Sequence, residues 1–334
     1  MSADSGDGVV AANPPAGSRL GKNAGFIFRV LASAFMIWLV FRRLDWSAVG
    51  AILGHADRKL LALASALTIL PVFLLAARWH IFIRQQGISV SGRNVFFLTW
   101  AGQFFNTVLP GNTGGDFVKI FHLCRIAPDR KAGAVASVVV DRLTALAALL
   151  ALAACSLVRQ PIPKLPAGWS LPAWLPVAAG GLALLAVAAC IFLWTRLDLR
   201  ARLAGFFDAM KLGARPGLPL AAGFALSFVI HLFSFFLFFL FSRALGFSIT
   251  YPDTLIFLPV LLVLMMLPVT VNGHGLRELV LIYYFRALHI VPASGTGTGA
   301  AEAVVSLSIL MVANELLWSL PGGIVYMARF RGIR

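Results

Sequence analysis

The stretch Phe104–Phe121, FFNTVLPGNTGGDFVKIF, interrupts one of the most apolar regions of the chain with Pro110, Gly111, Gly114, Gly115 and Asp116. Proline removes a backbone donor and glycine leaves the helical region at little steric cost, so apolar residues 93–126 read as two half-helices around a loop. A second interruption has the same grammar. In LPVTVNGHGLRELVLIYY, Leu267–Tyr284, Pro268 is followed by Asn272, Gly273 and Gly275, which splits the apolar stretch 254–291. Both follow the pattern L-P-x4-G-x3-[KR], with Gly115 and Lys119 in the first and Gly273 and Arg277 in the second. Non-helical backbone at membrane depth survives only where protein or a wet cavity surrounds it. Paired Gly/Pro breaks at corresponding places in two halves point to a transporter's binding site. The bland alternative is that LPGNTGGD and LPVTVNGHG are surface loops joining short spans.

The rest of the chain supplies the membrane. Hydrophobic residues make up 60% and charged residues 12% of the sequence, with a mean hydropathy of +0.88, far from the composition of a soluble domain. Runs long enough to cross about 30 Å of hydrocarbon occur at residues 25–41, 60–83, 132–158, 172–195, 218–245 and 300–327. The expected fold is an all-α polytopic membrane protein with six full transmembrane helices and two broken re-entrant hairpins. Its halves, about 25–158 and 172–327, form an inverted repeat. A single transmembrane domain covers 25–330, preceded by a disordered cytoplasmic tail at 1–24, which is small, polar and Pro-containing.

The net charge of +15 does not imply nucleic acid, because the basic residues sit in short loops and orient the protein in the membrane. Arg125, Arg130 and Lys131, then Arg196, Arg200, Arg202, Lys211 and Arg215, then Arg329, Arg331 and Arg334 mark cytoplasmic segments. Counting spans from them places both termini inside. Arg42, Arg43, Arg58 and Lys59 run against that rule, partly offset by Asp45 and Asp57. Within residues 196–217, Leu199, Leu203, Phe206 and Met210 recur at helical spacing, the pattern of an amphipathic interfacial helix. Cys124, Cys155 and Cys190 are too dispersed for a disulfide framework, and the six histidines lack a ligand spacing, so neither metal nor cofactor is expected. No G-x4-G-K-[ST] phosphate loop occurs, and no nucleophile and base recur at a recognisable spacing. The protein is expected not to be an enzyme.

Charge inside the spans carries the candidate site. Asp141 and Arg142 interrupt ASVVVDRLTALAALL, and Asn314 and Glu315 interrupt LMVANELLWSL. An ionisable group at a helix centre costs on the order of 2.5–3.5 kcal/mol on insertion scales, so such residues rarely face lipid. Adjacent residues point about 100° apart on a helix, so Asp141 and Arg142 each need a partner elsewhere. One reading is a salt-bridge lattice that fixes the bundle and binds nothing. The other is a polar cavity in which Lys119 and Arg277 meet an anionic head group, balanced by Asp116, Glu278, Asp141 and Glu315. Asn106, Asn112, Arg142, Asn272 and Asn314 complete that candidate set, with Pro110, Gly114, Gly115, Pro268, Gly273 and Gly275 shaping the loops.

In order, GQFFNTVLPGNTGGDFVKIFHL, VVVDRLTAL and LPVTVNGHGLRELVLIYY resemble the successive motifs of the flippase-like family typified by the membrane region of lysylphosphatidylglycerol synthetase/flippase proteins. The resemblance covers nearly all the chain from about residue 25. It implies a multi-pass protein of the bacterial inner membrane that moves a membrane phospholipid or lipid-linked substrate between leaflets. Two departures qualify it: Lys119 stands where the family pattern leads one to expect Arg, and no soluble aminoacyl-transferase domain is present. Two alternatives stay open. One is a membrane partner of a lipid- or glycan-synthesis enzyme; the other is a lipid-modifying enzyme using Asp116, His122 or His274 as acid or base.

Overall fold

The computed structural model describes residues 46–108, 114–159, 204–215, 217–266, 275–290 and 300–329. These form helices α1 (Trp46–Gly54), α2 (Arg58–Leu67), α3 (Ile69–Gln85), α4 (Gly92–Val108), α5 (Gly114–Ile126), α6 (Lys131–Arg159), α7 (Ala204–Gly213), α8 (Leu218–Ala244), α9 (Tyr251–Met265), α10 (Leu276–Ala287) and α11 (Ala300–Arg329). No strand occurs among the described residues. Four segments are helical, long and apolar enough to cross a membrane: Arg58–Gln85, Pro128–Val158, Leu218–Ala244 and Ala301–Ala328. They coincide with four of the six expected spans; 25–41 and 172–195, like the tail at 1–24, lie outside the described residues.

Local chemistry sets the helix ends. The Asp57 carboxylate accepts from the backbone N–H groups of Lys59 and Leu60, which opens α2. Pro71 follows two residues into α3 and has no N–H for the Leu67 carbonyl, so the span Arg58–Gln85 breaks into α2 and α3 at Thr68. Thr250 and Asp253 form a capping box at the start of α9. The helices flanking the two interruptions are short, 17 and 13 residues for α4 and α5 and 15 and 12 for α9 and α10. Each falls below the ~20 residues that a full crossing requires.

Packing divides into two apolar clusters. One gathers Trp79, Ile83, Val95, Leu98 and Leu123 from α3, α4 and α5. The other gathers Phe238, Phe241, Phe257, Leu281, Phe285 and Val304 from α8 to α11. Between them the contacts cross over. Helix α4 packs most extensively on α11, and α9 packs on α6. Helices α5 and α10 lie against α6 and α11 respectively, and α3 meets α8. The α4–α11 contact is close because Gly322 faces the Trp100 carbonyl and Gly323 the Phe104 ring, with no room for a Cβ at either. Within the expected interfacial segment, α7 has Phe206, Phe207 and Met210 half-buried and Asp208 and Lys211 exposed. It is tied down by Gln85 and Gln86, whose amide nitrogens donate to the carbonyls of Leu212 and Ala209.

Candidate functional site

The charges read from the sequence fall into two groups. In the first, α3, α5 and α6 bring together Arg78, Asp116, Lys119, Asp141 and Arg142. Arg78 donates from Nε and Nη2 to both oxygens of Asp141, at 2.7 and 3.1 Å, and from Nη1 to Ser227 Oγ of α8 at 3.0 Å. Both side chains of the pair are buried. A bidentate arginine–carboxylate pair satisfies the acid along its own plane, which is how these charges tolerate burial. One turn-face away, Arg142 donates from Nε and Nη2 to Asp116 at 2.8 and 3.0 Å. The Arg142 side chain is 49% exposed and Asp116 16%, so this pair is the accessible one. Asp141 and Arg142 thus point to different partners, as their angular separation on α6 demands.

Lys119 is the remaining cation. Its ammonium stands 4.9 Å from the centroid of the buried Trp79 ring, within range of a cation–π attraction. Among the described residues no carboxylate lies within ion-pair distance of it, because arginines already engage Asp116 and Asp141. Three cations therefore face two carboxylates. Trp79 is itself fixed, donating from Nε1 to Ser137 Oγ at 3.3 Å.

Helices α4 and α5 are held together where they adjoin residues 109–113. Asn106 Oδ1 accepts the Gly115 N–H at 2.7 Å. A Cβ on Gly115 would overlap the Gly102 backbone. Glycine is required there for close approach, since its φ is not positive. Gly114 is buried at the start of α5. Pro110 and Asn112 lie outside the described residues.

The second group belongs to α10 and α11. Arg277 donates from Nε and Nη2 to Oε1 of its neighbour Glu278, at 3.1 and 2.9 Å. Glu278 also accepts from Ser308 Oγ at 2.8 Å and from the Gly275 N–H at 2.6 Å, so it caps α10. Gly275 has φ +85°, a left-handed conformation that glycine adopts freely. Pro268, Asn272, Gly273 and His274 lie outside the described residues. No ion pair joins the two groups among the described residues. Asn314 donates to Thr68 Oγ1 at 3.0 Å, and the exposed Glu315 accepts from Thr107 Oγ1 at 3.2 Å, which links α11 to the break between α2 and α3 and to α4.

Sequence reading missed Arg78, Trp79, Ser227 and Ser308. Arg78 had a signal, since it is the one charged residue between Lys59 and Arg84 in an apolar span, and Asp141 required a cation. Ser227 and Ser308 had none, because isolated serines in apolar helices are common. Among the described residues no three His, Cys, Asp or Glu side chains gather as a metal site.

Apolar spans, short paired helices and ion pairs between them define a helical, multi-pass integral membrane protein. Residues 26–313 match the family model described as the lysylphosphatidylglycerol synthase TM region, and the chain belongs to that family. It is also similar to the UPF0104 membrane protein MJ1595 of Methanocaldococcus jannaschii, 27% identical over 114 residues. That alignment spans 34% of each chain, so the likeness reaches about a third of that relative's length.

Proposed function

We propose that this protein is a lipid translocase of the bacterial inner membrane that receives an anionic head group at the α3–α5–α6 cluster. The observation that carries this reading is the surplus cation: Lys119 has no carboxylate of its own while Asp116 and Asp141 are engaged by arginines. An anion entering beside the exposed Arg142 would complete the charge balance with a charge-assisted contact. The family supports a role at membrane lipids.

The inverted repeat is part of the same proposal. If α4–α5 and α9–α10 are equivalent re-entrant hairpins, each first limb should pack on the last span of the opposite half. The α4–α11 and α9–α6 contacts are reciprocal in that sense, as are α5–α6 and α10–α11. Six spans and two hairpins leave both termini cytoplasmic, so reporter fusions at residues 18 and 334 should behave alike; opposite behaviour removes the repeat.

The deciding experiment is leaflet-resolved lipid exchange in proteoliposomes containing an anionic or a zwitterionic reporter lipid. Exchange of the anionic reporter is expected, with a loss of tenfold or more in Lys119→Ala and retention in Lys119→Arg at equal protein incorporation. Absence of exchange would favour a non-transporting membrane partner, and chemical conversion of the reporter would favour a lipid-modifying enzyme.

A further inference from the structure

The connection between α3 and α4 carries a second cationic feature that the membrane-depth cluster does not use. Residues Gly87 to Ser91 alternate, with Ile88 and Val90 buried and Gly87, Ser89 and Ser91 exposed. Gly87, at φ +68°, turns the chain out of α3. Around this extended segment lies an open hollow of about 480 Å³, lined by Arg84, Gly87, Ile88, Ser89, Val90 and Ser91. Its apolar side chains are turned into the protein, so what it presents outward is backbone, two hydroxyls and a guanidinium.

One arginine lines this hollow, and a second lies against Gly87 at its edge. Arg84 is exposed, and its Nε lies 3.2 Å from His80 Nε2, which stands 3.0 Å from the Val90 carbonyl oxygen, so the terminal nitrogens of the guanidinium are left for a ligand. Arg130 reaches back from the segment before α6 and donates from Nη1 to the Gln86 carbonyl at 2.8 Å. Its guanidinium lies so close to Gly87 that a Cβ there would collide with it. Neither arginine forms an ion pair among the described residues. Two guanidiniums without carboxylates, beside two serine hydroxyls that can donate, make a donor-rich surface suited to a phosphate group, whose oxygens accept from planar guanidinium forks. The volume falls in the range of small-molecule sites, roughly 300–1,000 Å³, enough for a phosphate together with the group it carries.

We propose that this hollow binds a phosphate-bearing anion at the end of the bundle where α3, α4 and α6 meet, separately from the Lys119 cluster. Arg84 and Ser89 contact the phosphate, Ser91 adds a hydroxyl, and Arg130 holds the Gly87 turn in place while contributing its charge. The phosphate comes either from a lipid head group or from a soluble phosphate compound.

The test is equilibrium binding to the full chain in neutral detergent. The probes are dihexanoyl phosphatidylglycerol, inorganic phosphate and, as the uncharged control, dihexanoylglycerol. Lys119→Ala serves as the background, so that binding at the membrane-depth cluster is removed. Expected results are saturable binding of a phosphate probe, weakened about tenfold by Arg84→Gln and measurably by Ser89→Ala, and unchanged by Arg93→Gln, an exposed arginine that stacks on Phe97 instead. Saturation by inorganic phosphate alone assigns the site to soluble phosphates, and binding of the lipid probe only assigns it to a head group. The proposal is overturned if dihexanoylglycerol binds as well as the phosphate probes, if nothing saturates, or if Arg93→Gln weakens binding as much as Arg84→Gln. Because the readout is binding on the Lys119→Ala background, its failure leaves the transport proposal standing.

Discussion

The two interrupted helices share a sequence pattern but settle their charges differently. In α5, Asp116 reaches Arg142 of α6 and Lys119 reaches the Trp79 ring of α3, so the charged face is completed by other helices. In α10, Arg277 is neutralised by the adjacent Glu278, which Ser308 and the Gly275 N–H hold in place. Their glycines differ in the same way. Gly115 lets α5 approach the α4 backbone, whereas Gly275 supplies a left-handed turn. Helix α5 therefore presents its charge to other helices, and α10 contains it.

Asp141→Ala has the largest expected effect, because it leaves Arg78 buried beside Ser227 without a carboxylate. Breaking one side of a buried pair costs about 3–5 kcal/mol, a large drop in thermal stability in detergent. Asp141→Asn should cost less, because an amide oxygen still accepts from the guanidinium. Equal and small effects would mean that the surroundings of α5 are not held by that pair.

Glycine substitutions come next. Gly115→Leu must displace the Gly102 backbone, and overpacking of this kind costs roughly 1–3 kcal/mol or more. Gly275→Ala meets the positive-φ backbone penalty, about 1–2 kcal/mol. Unfolding midpoints should fall in that order; the reverse order would exchange the roles assigned to the two glycines.

Transport sharpens the contrast further. Lys119→Ala should reduce anionic lipid exchange tenfold or more, whereas Arg277→Ala should act chiefly by freeing Glu278 and lowering stability. If both variants lose exchange equally at matched folded protein, the two cations serve one shared site. The smallest effect is expected for Arg142→Ala on stability, about 1 kcal/mol or less, because its partner pair is partly exposed to solvent or head groups. A loss as large as that of Asp141→Ala would show that the Asp116–Arg142 pair is more deeply enclosed than its exposure indicates.

Much of this was legible in the chain. The long apolar runs at 60–83, 132–158, 218–245 and 300–327 required helices, and Pro110 and Pro268, outside the described residues, fall between the short helices α4 and α5 and α9 and α10. Asp141 and Arg142 announced that partners existed, because two neighbouring charges in an apolar span cannot satisfy each other across 100° of helix. Lys119 and Arg277 looked equivalent, since each follows Leu-Pro at the same interval. Nothing along the chain showed that Glu278 would take up Arg277 while Asp116 would turn to α6.

The sequence by itself determined the membrane class and the helical content, because those depend on length and hydropathy, whereas the break at Thr68 inside the 60–83 run was not read from it. Tertiary structure alone decided which charge meets which. Arg78 and Asp141 lie 63 positions apart, and Arg78 and Ser227 lie 149 apart, so their pairing follows from how α3, α6 and α8 cross rather than from any spacing. The same crossing leaves Lys119 over an aromatic ring instead of beside a carboxylate. That surplus of one cation is a property of the packed helices.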